Sequence, residues 1–285
     1  MNDILMQIRS DLPSFSKGQK RIANYILESY DKAAFMTASR LGKMVEVSES
    51  TVVRFAVELG FDGYPSMQKT LQELVRNKLT SVQRIEVTND RLGNQDVVST
   101  VLQGDIDSIR MTSEALSRAE MDACVQAILK AKSIYIVGVR SSAALAAFLN
   151  FYLRNMFENV RLVGSTSTSE MFEQLLRVGK EDVVIGISLP RYSSRTVKLL
   201  QYAHDSGATV VTITDKPEAP GGKVADLVLC AKSNMVSFVD SLVAPMSVIN
   251  ALIVSVGLQQ EDSVAKTYED LERLWDEYDA FERVE

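Results

Sequence analysis

The chain has 285 residues, 46% of them hydrophobic and 24% charged, with a net charge of −6 at neutral pH. That length suits two domains with buried cores, and no apolar run approaches the ~20 residues a membrane helix needs. Cys124 and Cys230 stand far apart and match no metal-ligand spacing, so they read as buried thiols in a reducing compartment. The opening MNDILMQIRSDLP is too polar for a secretory signal, and a cytoplasmic protein with no membrane partner is expected.

In chain order, FSKGQKRIANYILES reads as an amphipathic helix with Lys17, Lys20 and Arg21 near its start. The run Met36 to Phe61, MTASRLGKMVEVSESTVVRFAVELGF, reads as two short helices joined by a tight turn. Thr37 and Ser48 are N-cap candidates, because a hydroxyl can accept a first-turn N–H. Ala38, Leu41 and Val45 face a core at helical spacing, as do Val52, Phe55, Ala56 and Leu59. Gly42 is small where the second helix must approach. Glu46 sits in the turn, where glycine would serve better if the backbone takes positive φ. Ser50, Thr51, Arg54 and Glu58 fall on the opposite face.

That is the pattern of a helix-turn-helix whose second helix enters a DNA major groove. Hydroxyls and one arginine near a helix start suit phosphates and base edges, and the Arg54 fork matches guanine O6/N7. The expected DNA contacts are Lys17, Lys20, Arg21, Thr37, Lys43, Ser48, Ser50, Thr51 and Arg54. The alternative is an ordinary helical hairpin with a solvated polar face.

GYPSMQKTLQELVRNKL continues the head from Pro65 to about Lys78, making four or five helices. The first eighty residues hold 11 Lys/Arg against 9 Asp/Glu, and the remainder 20 against 28. A basic head on an acidic body fits DNA binding at one end. Residues 1–79 are therefore expected as a helix-turn-helix domain. Residues 80–96 lack apolar periodicity and read as a linker. Residues 97–285 read as an effector-binding and dimerisation domain, which begins with helices over 97–117 and 120–131.

From Ser133 the grammar changes. SIYIVGV, NVRLVG, EDVVIGIS, ATVVTITD and DLVLCA are strands alternating with helices. Their apolar character on both faces predicts a parallel five-stranded sheet flanked by helices, an α/β body behind an all-α head. Ligands gather at the carboxyl ends of such strands. GVRSSAALA puts Ser141 and Ser142 where a strand becomes a helix, which favours an anion. GSTSTSE, with Ser165 and Thr166, is again hydroxyl-rich. SLPRYSSRTV holds Ser188, Arg191, Tyr192, Ser193, Ser194, Arg195 and Thr196. Three such loops at one sheet edge favour a phosphorylated or otherwise anionic small molecule; each alone is also explained by helix capping. DKPEAPGGKVAD reads as a plain connection. MVSFVDSLVAPMSVINALIVSVG contains an apolar helix suited to covering the sheet and to pairing with a second copy. Tyr268, Leu271, Trp275 and Tyr278 form a packing stripe on the last helix.

VSESTVVRFAVELGFDGYPSMQ in the head, with IYIVGVRSSAALA and VVIGISLPRYSSRTVKLLQYAHDSGATVVTITD in the body, resembles the RpiR family of bacterial regulators. The resemblance covers nearly the whole chain. It implies a helix-turn-helix domain joined to a SIS (sugar isomerase) phosphosugar-binding domain, a five-stranded parallel sheet and usually a dimer.

The departures from the family pattern are specific. The first loop, often G-x-G-x-S, has Arg140 for its second glycine. In the third loop, often S-x-S-G-x-T-x-E, Pro190 replaces a serine, Arg191 the glycine and Arg195 the glutamate. The resemblance assigns ligand contacts to Ser142, Ser188 and Ser193. The arginines point to an acidic effector, for example a phosphorylated sugar acid or a dicarboxylate. The expected effector contacts are Arg140, Ser141, Ser142, Ser165, Thr166, Ser188, Arg191, Tyr192, Ser193 and Arg195.

An isomerase would need a general base. The one histidine, His204, falls inside a helix, and Glu170 is the nearest acid. The expectation is therefore a non-enzymatic, effector-switched regulator, a homodimer or homotetramer on double-stranded operator DNA, without cofactor or metal. The alternatives are a sugar-phosphate isomerase and a ligand-binding module that does not touch DNA.

Overall fold

The computed structural model describes residues 4–78, 82–85, 88, 96–232 and 239–281, which divide into two compact units. The first unit holds α1 (Ile4–Asp11), α2 (Lys17–Ala33), α3 (Ala38–Met44), α4 (Glu49–Glu58) and α5 (Tyr64–Lys78). Local chemistry sets their starts. Ser16 and Gln19 form a reciprocal capping box on α2. The Thr37 hydroxyl accepts the Arg40 N–H, and the Ser48 hydroxyl accepts the Thr51 N–H, so both expected caps form.

Ile8, Ile22, Ile26, Leu41, Val52, Phe55, Met67 and Leu71 make one buried core. Phe15 meets Phe55 edge-on at 5.1 Å. The Tyr64 hydroxyl and the Gln68 amide both donate to the Met36 carbonyl, at 2.7 and 2.8 Å, and Gln72 donates to Ala34 at 3.0 Å. Helix α5 thereby satisfies carbonyls left open where α2 ends. Burial pushes the Tyr64 phenol up to about 12.

Most of the stretch expected as a linker, residues 80–96, lies outside the described residues. Within it, residues 82–85 are helical, Arg84 and Thr88 are buried, and the Thr88 hydroxyl donates to the Arg84 carbonyl.

The division between the units falls within α6 (Val97–Ala115), at Val101/Leu102. The second unit continues with α7 (Arg118–Lys130), β1 (Ser133–Gly138), α8 (Ser142–Leu153), β2 (Val160–Val163), α9 (Thr168–Gln174) and β3 (Asp182–Ile187). It ends with α10 (Ser194–Asp205), β4 (Thr209–Thr214), β5 (Leu227–Cys230), α11 (Val243–Leu258) and α12 (Glu261–Glu277). All five strands are parallel, in the order β2-β1-β3-β4-β5.

Period-two alternation sends Ile134, Ile136 and Ile185 to one face, under α7, α8 and α11. Tyr135, Val137 and Val184 go to the other, under α9 and α10. A Cβ on Gly138 would stand 2.6 Å from the Ser142 carbonyl oxygen, so glycine lets α8 start directly on β1.

Three helices are partnered unusually. Helix α11 buries Val248, Ile249, Leu252 and Val256 yet exposes Val254 and Leu258. On α6 the buried residues are Ser108 and Thr112, while Val98, Leu102 and Ile106 face outward. Helix α12 buries none of its residues; its expected stripe is half-buried at Tyr268, Leu271 and Trp275 and exposed at Tyr278. No single helix among the described residues is long and apolar enough to cross a membrane.

Candidate functional sites

In the first unit, α3 and α4 are joined by a turn in which Val47 N–H donates to the Gly42 carbonyl at 2.8 Å. A Cβ on Gly42 would lie 2.8 Å from the Val47 carbonyl oxygen, which accounts for glycine there. Glu46 does take positive φ, +54°. For a residue with a Cβ that conformation costs roughly 1–2 kcal/mol. Arg21 opposes it: its Nη1 donates to the Val45 and Glu46 carbonyls, each at 3.3 Å, and pairs with the Glu46 carboxylate at 3.2 Å. Arg21, expected to face DNA, is thus engaged in holding the turn.

Thr37 and Ser48 are likewise engaged as caps. Ser48 Oγ also lies 2.9 Å from Ser50 Oγ and 2.8 Å from Thr51 Oγ1. Glu58 accepts a hydrogen bond from the Gln19 amide, which ties it to the start of α2. The Thr51 methyl lies close to Gly18, so Lys17 and Lys20, both exposed, flank the start of α4. Lys43 is exposed in the last turn of α3. Arg54 is exposed and makes no hydrogen bond or ion pair among the described residues. The outward face of α4 also carries Val53 and Val57, which the sequence reading passed over. Both lie off the stripe of Val52, Phe55, Ala56 and Leu59, and that offset is the signal that could have found them. Exposed methyls there suit the thymine C5-methyl.

In the second unit the strand order reverses direction between β1 and β3, the switch point where such sheets bind ligands beyond their carboxyl ends. The three hydroxyl-rich loops differ there. Ser193 is a helix cap, accepting the Thr196 N–H, which is the routine role. Ser165 is tied up within its loop: its hydroxyl donates to Glu170 and accepts the Ser167 N–H. Thr166 is exposed beside it. In the first loop, Ser141 occupies the N-cap position of α8 without making a cap bond, and Ser142 is buried. Neither hydroxyl is bonded among the described residues. Ser188 and Thr196 are 3% and 1% exposed, and their hydroxyls have no hydrogen-bond partner among the described residues. A buried hydroxyl left unmade costs ~1–3 kcal/mol, which a group seated at the loop would recover.

Arg140 and Arg191 both stand at positive φ, +58° and +61°. The arginines that replace glycine in the family pattern therefore keep the backbone shape that glycine favours. Arg195 reaches across to the Ser165 carbonyl at 3.5 Å, bridging the second and third loops.

The loop after β4 does more than connect, contrary to expectation. Its first residue, Asp215, accepts the Tyr192 hydroxyl at 2.7 Å, and Lys232 Nζ lies 3.5 Å from the Asp215 carbonyl oxygen. The Lys232 N–H donates to Thr112 Oγ1 on α6 at 2.8 Å. Thr112 in turn donates to the Ser108 carbonyl at 2.7 Å. Asp215 and Lys232 carried no motif, because strands and loops distant in sequence bring them together.

His204 lies in the last turn of α10, its Nδ1 3.7 Å from Asp226, the residue that precedes β5. That is the amino edge of the sheet, opposite the loops. Burial pushes the Cys124 thiol up to about 12, with Glu120 adding to the effect; burial also raises the Cys230 thiol. No group of three His, Cys, Asp or Glu among the described residues is arranged to hold a metal ion.

Comparisons with known proteins follow the same division. Residues 2–78 match the helix-turn-helix domain of the rpiR family, and residues 127–255 match the SIS domain. A Haemophilus influenzae HTH-type transcriptional regulator is 29% identical over 232 residues, 80% of this chain and 79% of that protein. HexR of Pseudomonas aeruginosa, also an HTH-type transcriptional regulator, is 24% identical over 268 residues, 91% of each chain. The sugar isomerase domain of an RpiR transcription factor from Sphaerobacter thermophilus superposes with a TM-score of 0.60 at 26% identity, over 63% of this chain and 99% of that one. The Vibrio vulnificus NanR protein, solved with ManNAc-6P, shares the fold over 95% of this chain and 98% of its own, with a TM-score of 0.58 at 22% identity. With the helix-turn-helix in front and the SIS sheet behind it, the chain belongs to the rpiR family of helix-turn-helix regulators.

Proposed function

We propose that the protein is a cytoplasmic transcriptional regulator, not an enzyme, whose hold on operator DNA is modulated by an anionic metabolite of the sugar-phosphate class. Residues 1–79 read DNA, residues 97–285 take the effector and dimerise, and the segment between them joins the two. The observation that carries the reading is the pair of sites in one chain: a formed helix-turn-helix with Arg54 open to solvent, and a switch point where Ser141, Ser142 and Ser188 keep unbonded hydroxyls. ManNAc-6P bound to the similarly folded NanR protein supports a phosphorylated sugar as the ligand class. The placement of His204 at the far edge weighs against proton shuttling at the loops. The outward apolar residues of α6 and α11 suit pairing with a second copy, which a two-fold operator requires.

Coupling needs an element that the effector biases between two states. Helix α6 fits, since its buried side is polar and the chain Tyr192–Asp215–Lys232–Thr112 links it to the third effector loop. Thr112→Val, which removes the acceptor of the Lys232 N–H, should bind effector yet blunt its effect on DNA. The defining experiment is a gel-shift titration on promoter DNA flanking the protein's own gene, repeated with a panel of phosphosugars and sugar acids. A specific shift altered by one compound is expected. No specific binding under any condition would return the chain to the enzyme or non-DNA reading.

A further inference from the structure

We infer that Val53 and Val57 read bases: their methyls pack against the C5-methyls of two thymines in each operator half-site, beside the base pair met by Arg54. This rests on the reading of the head as a DNA-binding domain and deepens it to the class of sequence recognised.

Six residues of α4 are exposed: Glu49, Ser50, Val53, Arg54, Val57 and Glu58. Three of them are accounted for within the head. Glu49, in the first turn, complements the positive end of the helix. Ser50 Oγ lies 2.9 Å from Ser48 Oγ, and Glu58 accepts a hydrogen bond from the Gln19 amide. Arg54 and the two valines are left. Val53 and Val57 are 37% and 55% exposed and stand outside the core of the head. Valine is also a poorer helix former than the alanine, lysine or glutamate that suits an outward position. Neither packing nor helix propensity therefore accounts for two valines on the outer side of this 10-residue helix.

The spacing suits a major groove. Residues four apart share one face of a helix and lie ~6 Å apart along it. Base pairs rise by ~3.4 Å, so the two valines span about two steps. Valine offers no hydrogen bond to a phosphate or a base edge. What it can read is apolar shape, and the apolar feature of the major groove is the thymine methyl. Arg54 adjoins Val53 and supplies the polar contact to a neighbouring pair. The exposed Lys17, Lys20 and Lys43 are left for phosphates, which position the helix without reading sequence.

The test begins with selection of random-sequence duplexes by the full chain, without and with a panel of phosphosugars and sugar acids. Fluorescence anisotropy then measures the enriched duplex with each invariant thymine replaced in turn by deoxyuridine, which lacks only the methyl. Each half-site should contain two thymines about two steps apart. Deoxyuridine at either should weaken binding about fourfold, the value of one buried methyl. Val53→Ala and Val57→Ala should each lose fourfold or more on the thymine duplex. Each should then be indifferent to deoxyuridine at its own position and remain sensitive at the other. Arg54→Ala should keep both deoxyuridine effects. Alanine is the better helix former, so melting temperatures should not fall, and the losses are not unfolding.

Deoxyuridine duplexes bound as tightly as thymine duplexes overturn the inference. So do alanine variants whose losses ignore the methyls. Alanine variants that keep full affinity but associate more weakly with their own copies in sedimentation overturn it too, and assign the valines to a contact between copies. If no sequence is enriched under any condition, the DNA-binding reading itself fails and the inference fails with it.

Discussion

Of the four non-glycine residues with positive φ among the described residues, Glu46 stands in the turn of the head and Arg140 and Arg191 in loops after β1 and β3 of the body, and they are treated differently in the two units. In the head, Glu46 is held from outside its turn: Arg21 takes its carbonyl and its carboxylate, and Gly42 admits the closing hydrogen bond from Val47. In the body, Arg140 and Arg191 adopt the same backbone region with their side chains exposed. The difference separates a strained residue whose side chain is bound back onto its own turn from two whose side chains lie at the surface.

The most damaging way to break this comparison is Gly42→Val. The new Cβ would press on the Val47 carbonyl oxygen at 2.8 Å, a contact that backbone on both sides cannot relieve cheaply. A loss of roughly 3 kcal/mol or more is expected in the head. Circular dichroism melting and gel shifts should show DNA binding gone while effector binding to the body is kept. Loss of both would mean that the body depends on the intact head.

Alkali should separate the units next. Tyr64 in the head ionises near pH 10 when unfolded and is pushed to about 12 by burial; Cys124 in the body moves from about 9 to about 12 for the same reason. Both folded pKa values are raised, so the folded state binds more protons in between and stability falls as pH rises. The body should begin to weaken above pH 9 and the head above pH 10, each by a few kcal/mol near pH 12. Y64F and C124S should flatten the corresponding transition in pH-dependent melting. An unchanged profile in either would remove that group as the cause.

Much of this was legible in the sequence, for reasons that differ by region. The caps Thr37 and Ser48, the buried stripe of α4, the glycine at 42 and all five strands follow from local spacing and chemistry, and they form as expected. Serine content alone could not distinguish Ser193, a cap, from Ser141, which is not one, because that depends on where each hydroxyl finds a partner. Arg21 looked like a DNA contact because it sits among lysines at a helix start; its partner is 25 residues away, in the turn. The Tyr192–Asp215 bond joins residues 23 apart across neighbouring strands, and no motif marks it.

A smaller effect tests the reading face. Arg54→Ala should cost roughly 1–3 kcal/mol at a specific operator, with specificity relaxed at one base pair. Fluorescence anisotropy on operator and scrambled duplexes distinguishes the cases: an equal loss on both makes Arg54 a phosphate contact. Arg21→Ala, by contrast, should lower head stability before it touches specificity.

The smallest expected effect bears most directly on the comparison. Glu46→Gly removes the Cβ that makes φ +54° costly, and with it one ion pair whose carboxylate is 86% exposed. Such an exposed pair contributes about 0–1 kcal/mol. Strain relief is of similar size, and glycine adds freedom to the unfolded chain. The net change in head stability should therefore lie within about 1 kcal/mol, and DNA affinity should be unchanged, because Arg21 retains the Val45 and Glu46 carbonyls. Thermal melts and anisotropy on the same preparation measure both. If Glu46→Gly instead weakened DNA binding as strongly as Arg54→Ala, the carboxylate would have a recognition role. The head would then use its strained residue for recognition as well as for holding its turn, and the contrast with the exposed Arg140 and Arg191 of the body would no longer separate the two units.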